Sequence, residues 1–129
     1  MNREYGKWIG EMNWEYFITV RKNYSFSKNA VRRSMDKIEK EIKNSKYVDR
    51  VFIVGERDLD DWNNFHLHLL INTNSNQDFN IQSEINSYFG IKDTKHIEPV
   101  IDNKSVAIYL SKFLDKDIEY DIYSNTTTL

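Results

Sequence analysis

Phe65-His66-Leu67-His68-Leu69-Leu70-Ile71-Asn72 (FHLHLLIN) is the stretch on which the reading of this 129-residue chain turns. Aromatic and branched residues dominate it, and apolar and polar residues alternate through its first half, the period-2 signature of a β-strand. Alternate residues of a strand share a face. Phe65, Leu67, Leu69 and Ile71 are therefore expected to point into a core together. His66 and His68 then point the other way, with Cα atoms roughly 6–7 Å apart. Two imidazoles at that separation can chelate one divalent ion.

Working outward, Asp49 to Glu56 reads as the preceding strand. Arg57 to Asn64 between them is polar and acidic, a hairpin loop of about eight residues. Trp14 to Arg21 (WEYFITVR) reads as a strand as well. Ser27 precedes a helical pattern running to about Ser45, in which Val31, Met35, Ile38 and Ile42 form one apolar stripe under a charged surface. Phe79 to Phe89 is a helix candidate ended by Gly90, with Ile81, Ile85 and Phe89 on one side. Lys95 to Ile101 carries the single Pro and is expected at a sheet edge. Asn103 is expected to cap a helix to about Asp115, and Ile118, Tyr120 and Ile122 alternate as a last strand. The order is β-α-β-β-α-β plus a helix. It predicts an α+β, ferredoxin-like (RRM-like) antiparallel sheet of about five strands, with helices on one face and the other face open for the site.

Composition bounds the chemistry. The length suits one domain, 1–129, with 124–129 read as a flexible tail. There is no Cys, so disulfides, thiolate nucleophiles and Cys-based zinc sites are excluded. No apolar run approaches the roughly 20 residues of a membrane span, and Met1-Asn2-Arg3-Glu4 has no apolar stretch behind it. An intracellular location in a host cytoplasm, without secretion, is the expectation. The formal net charge of -2 argues on its face against a nucleic-acid binder. The charge is divided, however: residues 1–57 hold 13 basic and 8 acidic side chains, and residues 58–129 hold 5 and 12. A basic half and an acidic half suit a polyanion and a cation respectively, although a solvated surface produces the same split.

For the His pair, a third ligand is expected from the neighbouring strand, where Glu56 stands just before the hairpin and Asp58, Asp60 and Asp61 follow it. Two imidazoles with a carboxylate and no thiolate suit Mn²⁺ or Mg²⁺, with zinc or iron as other fits. The plainer alternative is a pair of half-exposed sheet histidines without a ligand. Along the C-terminal helix, steps of 100° place Val106, Ala107, Leu110, Phe113 and Leu114 on one arc of about 120°. Tyr109, Lys112 and Lys116 fall on its border. A phenol needs help to act as a nucleophile at neutral pH, and neighbouring Lys charge supplies some. The alternative is a rim Tyr with snorkelling Lys side chains.

Phe17-Ile18-Thr19-Val20, Phe65 to Ile71 and Tyr109-Leu110-Ser111-Lys112, in that order, resemble the three motifs of the HUH endonucleases, the rolling-circle replication initiators (Rep proteins) of small viruses, phages and plasmids. The resemblance runs from about residue 14 to 116. It implies that His66 and His68 bind the metal with Glu56 as third ligand. It further implies that Tyr109 attacks a phosphodiester of single-stranded DNA at a replication origin, leaving a 5′-phosphotyrosine and a free 3′-hydroxyl, with Lys112 beside the scissile phosphate. One Tyr stands at the expected place, so the single-tyrosine type is implied. No G-x-x-x-x-G-K-[ST] loop is present, so unwinding and synthesis fall to a host helicase and polymerase, and a homodimer is one way to complete strand transfer with one tyrosine. Arg21, Lys22, Arg57, Trp62 and Lys116 are candidate DNA contacts. A transposase of the same architecture, a non-catalytic RNA- or DNA-binding module, and a hydrolase of small phosphate esters are the competing readings.

Overall fold

The computed structural model describes residues 13–58, 64–74, 79–102 and 105–106, together with the backbone of 119–124. Its elements follow in chain order: β1 (Tyr16–Arg21), α1 (Lys28–Lys43), β2 (Val48–Arg57), β3 (Phe65–Thr73), α2 (Ile81–Tyr88), β4 (Thr94–Pro99) and β5 (Glu119–Ser124). Local chemistry sets the helix ends. Ser27 Oγ accepts the Ala30 N–H at 3.2 Å and starts α1. Asn80 Oδ1 accepts the Ser83 N–H at 3.1 Å, so α2 begins at Ile81 rather than at Phe79. Phe89 is extended and closes it one residue before Gly90.

These elements make an α+β domain with one antiparallel sheet and two helices. The strand order is β4-β1-β3-β2-β5, and every neighbouring pair is antiparallel. α1 carries the chain from β1 past β3 to β2, and α2 carries it from β3 past β1 to β4. Both helices bury their apolar sides on one sheet face. There Val31, Met35, Ile38 and Ile42 of α1 and Ile85 and Tyr88 of α2 meet Ile18, Val20, Val51, Ile53, Phe65, Leu67, Leu69 and Ile71. The histidine-free face of β3 is thus the core face, as its alternation requires. β4 lies at the sheet edge, with Pro99 as its last residue. Among the described residues, no helix is long and apolar enough to cross a membrane.

Two expectations change. The second sheet face is not open: Phe52, Val54 and Leu70, which point away from the helices, are fully buried, and His66 and His68 are only 6% and 5% exposed. Ser124, assigned above to a tail, belongs to β5 and pairs with Arg50. The helix expected from Asn103 to Asp115 lies almost wholly outside the described residues. Its first turn is seen where the Val106 N–H reaches the Asp102 carbonyl at 3.3 Å. Residues 125–129 of the expected tail are likewise outside them.

Candidate metal centre

The site follows from strand register. Glu56 of β2 stands directly opposite His66 of β3, while Thr19 of β1 stands opposite His68. Directly opposed residues of antiparallel strands share a face. Register therefore gathers Glu56, His66, His68 and Thr19 on the side away from the helices, and Arg21, two residues after Thr19, follows them.

The two imidazoles converge. His66 Nε2 lies 2.9 Å and His68 Nε2 3.0 Å from the same oxygen, Glu56 Oε2. The rings stand nearly perpendicular at 89°, with centroids 4.8 Å apart. One ligand atom from each of the three residues fits within 4.8 Å of the others. Each ring is also held from behind. His66 Nδ1 is 2.6 Å from Asp58 Oδ1, and His68 Nδ1 is 3.1 Å from Thr19 Oγ1. The Phe17 ring stacks on His68 at 5.3 Å, restricting its tilt.

Donor arithmetic says what belongs between these atoms. A carboxylate only accepts, and a neutral imidazole has one N–H to give. His66 meets a carboxylate at each nitrogen, so one of those contacts needs a second positive charge: another proton or a metal ion. The donor set of two imidazole nitrogens and a carboxylate oxygen fits a divalent ion such as Mn²⁺ or Mg²⁺, with zinc or iron also compatible. Burial disfavours charge on Glu56, but the His68 hydrogen bond and the positive charge of the two imidazoles outweigh it, and the carboxyl sits below its ordinary 4.5. Asp58 follows the same pattern: burial pushes it up, and hydrogen bonds from His66, Arg21 and Asn64 hold it below 3.8. Burial pulls His68 below the ordinary imidazole value despite its bond to Glu56, which favours the neutral, ligating form.

The structure thus brings together Glu56, His66 and His68. Tyr109, Lys112, Lys116 and Trp62 lie outside the described residues, as do Asp60 and Asp61. Arg21 is 55% exposed at the side chain and donates from Nη1 to Asp58 Oδ1 at 3.0 Å. The Arg57 guanidinium lies over the Phe65 ring at 4.7 Å. Lys22 departs from the expectation of a DNA contact. It follows Arg21 on the opposite side of the chain, and its ammonium is 12% exposed and paired with Asp93 Oδ2 at 2.8 Å. Asp58, considered in the sequence as a further ligand, stands behind His66 instead. Thr19 was missed as a partner of His68. The signal was present: alternation in β1 puts Phe17, Thr19 and Arg21 on one face.

Fold and site together define an α+β domain that holds a buried His-His-Glu cluster on a sheet. The family model described as replication-associated protein ORF2/gene-2 protein matches residues 15–118, most of the chain. The chain belongs to that family, which ties it to replication. No curated protein matches it. Among solved structures, the hypothetical protein ORF119 from Sulfolobus islandicus rod-shaped virus 1 is similar, at 26% identity over 92% of this chain and 94% of that one, with a TM-score of 0.49.

Proposed function

We propose that this chain initiates rolling-circle replication as a single-tyrosine HUH endonuclease, a site-specific nickase and strand transferase for single-stranded DNA at an origin. The strand order β4-β1-β3-β2 with a helical crossover on either side of the β2–β3 hairpin supports the ferredoxin-like architecture that this reading assumes. The observation that carries it is the convergence of His66 Nε2 and His68 Nε2 on Glu56 Oε2. Membership in a replication-associated family supports DNA as the substrate of that cluster.

In this reading Glu56, His66 and His68 hold a divalent ion, which when bound polarises and orients the scissile phosphate. The Tyr109 oxygen attacks phosphorus and its proton leaves. A Tyr–O–P bond forms to the 5′ side of the nick, and the P–O3′ bond breaks. The departing oxygen takes up a proton and becomes a free 3′-hydroxyl, from which a host polymerase extends after a host helicase opens the duplex. Attack by a 3′-hydroxyl on the phosphotyrosine reverses the step and rejoins the strand. Lys112 offsets charge on the phosphate.

Incubation with single-stranded origin oligonucleotides and Mn²⁺ is expected to give a covalent protein–DNA adduct that survives denaturing electrophoresis. Tyr109→Phe is expected to abolish the adduct while still binding the oligonucleotide. An adduct formed by Tyr109→Phe, or none by the wild type across a broad oligonucleotide pool, defeats the reading. Binding that is indifferent to chelator and to loss of His66 would point to a non-catalytic module.

A further inference from the structure

We infer that Asp58 is a positioning residue for the metal centre, holding the His66 ring so that its Nε2 lone pair faces Glu56. The inference rests on the metal-binding reading of Glu56, His66 and His68. Asp58 Oδ1 lies 2.6 Å from His66 Nδ1, both side chains are buried, and a carboxylate has no proton to give. The proton in that contact is therefore on Nδ1, which leaves Nε2 as the nitrogen available to a cation. A carboxylate behind a ligating imidazole fixes its tautomer and rotation and raises its basicity.

Asp58 is itself fixed with a definite orientation. Arg21 Nη1 donates to Oδ1 at 3.0 Å, and Asn64 Nδ2 donates to Oδ2 at 2.8 Å. The Asn64 amide cannot be turned over, because its Oδ1 accepts the Phe26 N–H at 2.7 Å. The hairpin closes on the same pair, with the Asp58 N–H donating to the Asn64 carbonyl at 2.9 Å. β1, the α1 approach and the β2–β3 hairpin thus all bear on one carboxylate, whose free direction is toward His66. Nothing in the pattern of the sequence separates Asp58 from Asp60 and Asp61. The register of β2 against β3 does.

The test uses the full-length protein and Mn²⁺ alone. Affinity is read by titration calorimetry, and the site of the His66 ring proton is read from ¹⁵N shifts of the metal-free protein. Asp58→Ala is expected to weaken Mn²⁺ binding 10- to 100-fold and to lower the fraction of His66 protonated at Nδ1. Asp58→Asn keeps an acceptor oxygen for Nδ1–H, so it is expected to retain the ring proton there and to bind Mn²⁺ severalfold more tightly than Asp58→Ala. It also guards against an alanine variant that fails to fold. A merely structural Asp58 would lower the melting temperature and leave both readouts unmoved. Mn²⁺ affinity within threefold of wild type in Asp58→Ala, or an unchanged His66 ring proton, overturns the inference. A wild type that binds no Mn²⁺ defeats the metal reading, and the ring-proton measurement then still decides the role of Asp58.

Discussion

Lys22 and Asp93, 71 residues apart, show what a single side chain does when the fold rather than the solvent chooses its partner. Asp93 Oδ2 accepts from Lys22 Nζ at 2.8 Å and from the Gly90 N–H at 2.8 Å, which ties the end of β1 to the turn after α2. The ammonium also stands 5.4 Å from the Phe89 ring centre and 5.7 Å from that of Phe26. Burial alone would raise the Asp93 pKa. The Lys22 hydrogen bond and charge, with backbone N–H groups, override it and hold the carboxyl below 3.8. A carboxyl depressed in the folded state contributes stability above its unfolded pKa and loses it as pH falls through the folded value. Asp93→Asn is therefore expected to cost about 3 kcal/mol at pH 7, the low end for breaking a buried pair because Lys22 keeps some solvent contact. In urea denaturation that cost should shrink as the pH falls below about 4. A cost that stays constant from pH 7 to 3 would mean that charge pairing is not its source. At this scale the sequence was legible where one strand's alternation sufficed, as for His66 and His68. It was illegible where the partner comes from a distant loop: Arg21-Lys22 reads as a basic doublet, and only the pleat of β1 and the position of Asp93 separate their tasks.

Elements were legible in proportion to the length of their periodic pattern. α1, with Val31, Met35, Ile38 and Ile42 buried as its stripe requires and Ser27 as its cap, follows from spacing alone. α2 is shorter than its apolar pattern because Asn80 caps it from inside that pattern. How α1 docks on the sheet was not legible, because a lone Gly in a strand has several readings. The structure gives the reason for Gly55: a Cβ placed there would lie 2.6 Å from Val31 Cγ1 and 3.6 Å from Met35 Cε, so the missing side chain is the space into which α1 settles. Gly55→Ala is expected to destabilise by about 1–3 kcal/mol through overpacking. Val31→Ala removes the obstructing methyl, so the double variant should be more stable than the two single costs added together predict, a coupling that chemical denaturation of the four proteins measures. Strict additivity would show that the close approach is not the cause. The same contact bears on function, since Glu56 is the next residue and the α1–β2 fit sets where its carboxylate stands.

For the molecule as a whole, the sheet was expected to work on an exposed face and instead buries both. The signal lies in Val51-Phe52-Ile53-Val54 and Leu69-Leu70-Ile71, where apolar residues follow without a break. Such runs mark strands covered on both sides, whereas alternation marks a strand with one wet face. Burial alters the chemistry open to the histidine pair. Few water molecules can reach it, so each polar contact there is strong when satisfied and costly when not. Two imidazoles aimed at one carboxylate oxygen form a cluster that gains from a cation in the folded state, while the unfolded chain has no such site. The division of charge along the chain agrees with this, because Glu56 and Asp58 begin the acidic stretch and Asp58 remains ionised beside Arg21. A ligand that binds only the folded state stabilises it by about 2.7 kcal/mol at a hundred times its dissociation constant. For a domain of this size that raises the melting temperature by roughly 5–10 °C. Thermal melts in EDTA and in excess Mn²⁺ are therefore expected to separate by that amount for the wild type. They should coincide for Glu56→Gln, which keeps the shape of the side chain but loses its anionic oxygen. Coincident wild-type curves would mean that the convergent nitrogens hold a proton rather than a metal ion, and an undiminished shift in Glu56→Gln would move the ion to a different set of ligands.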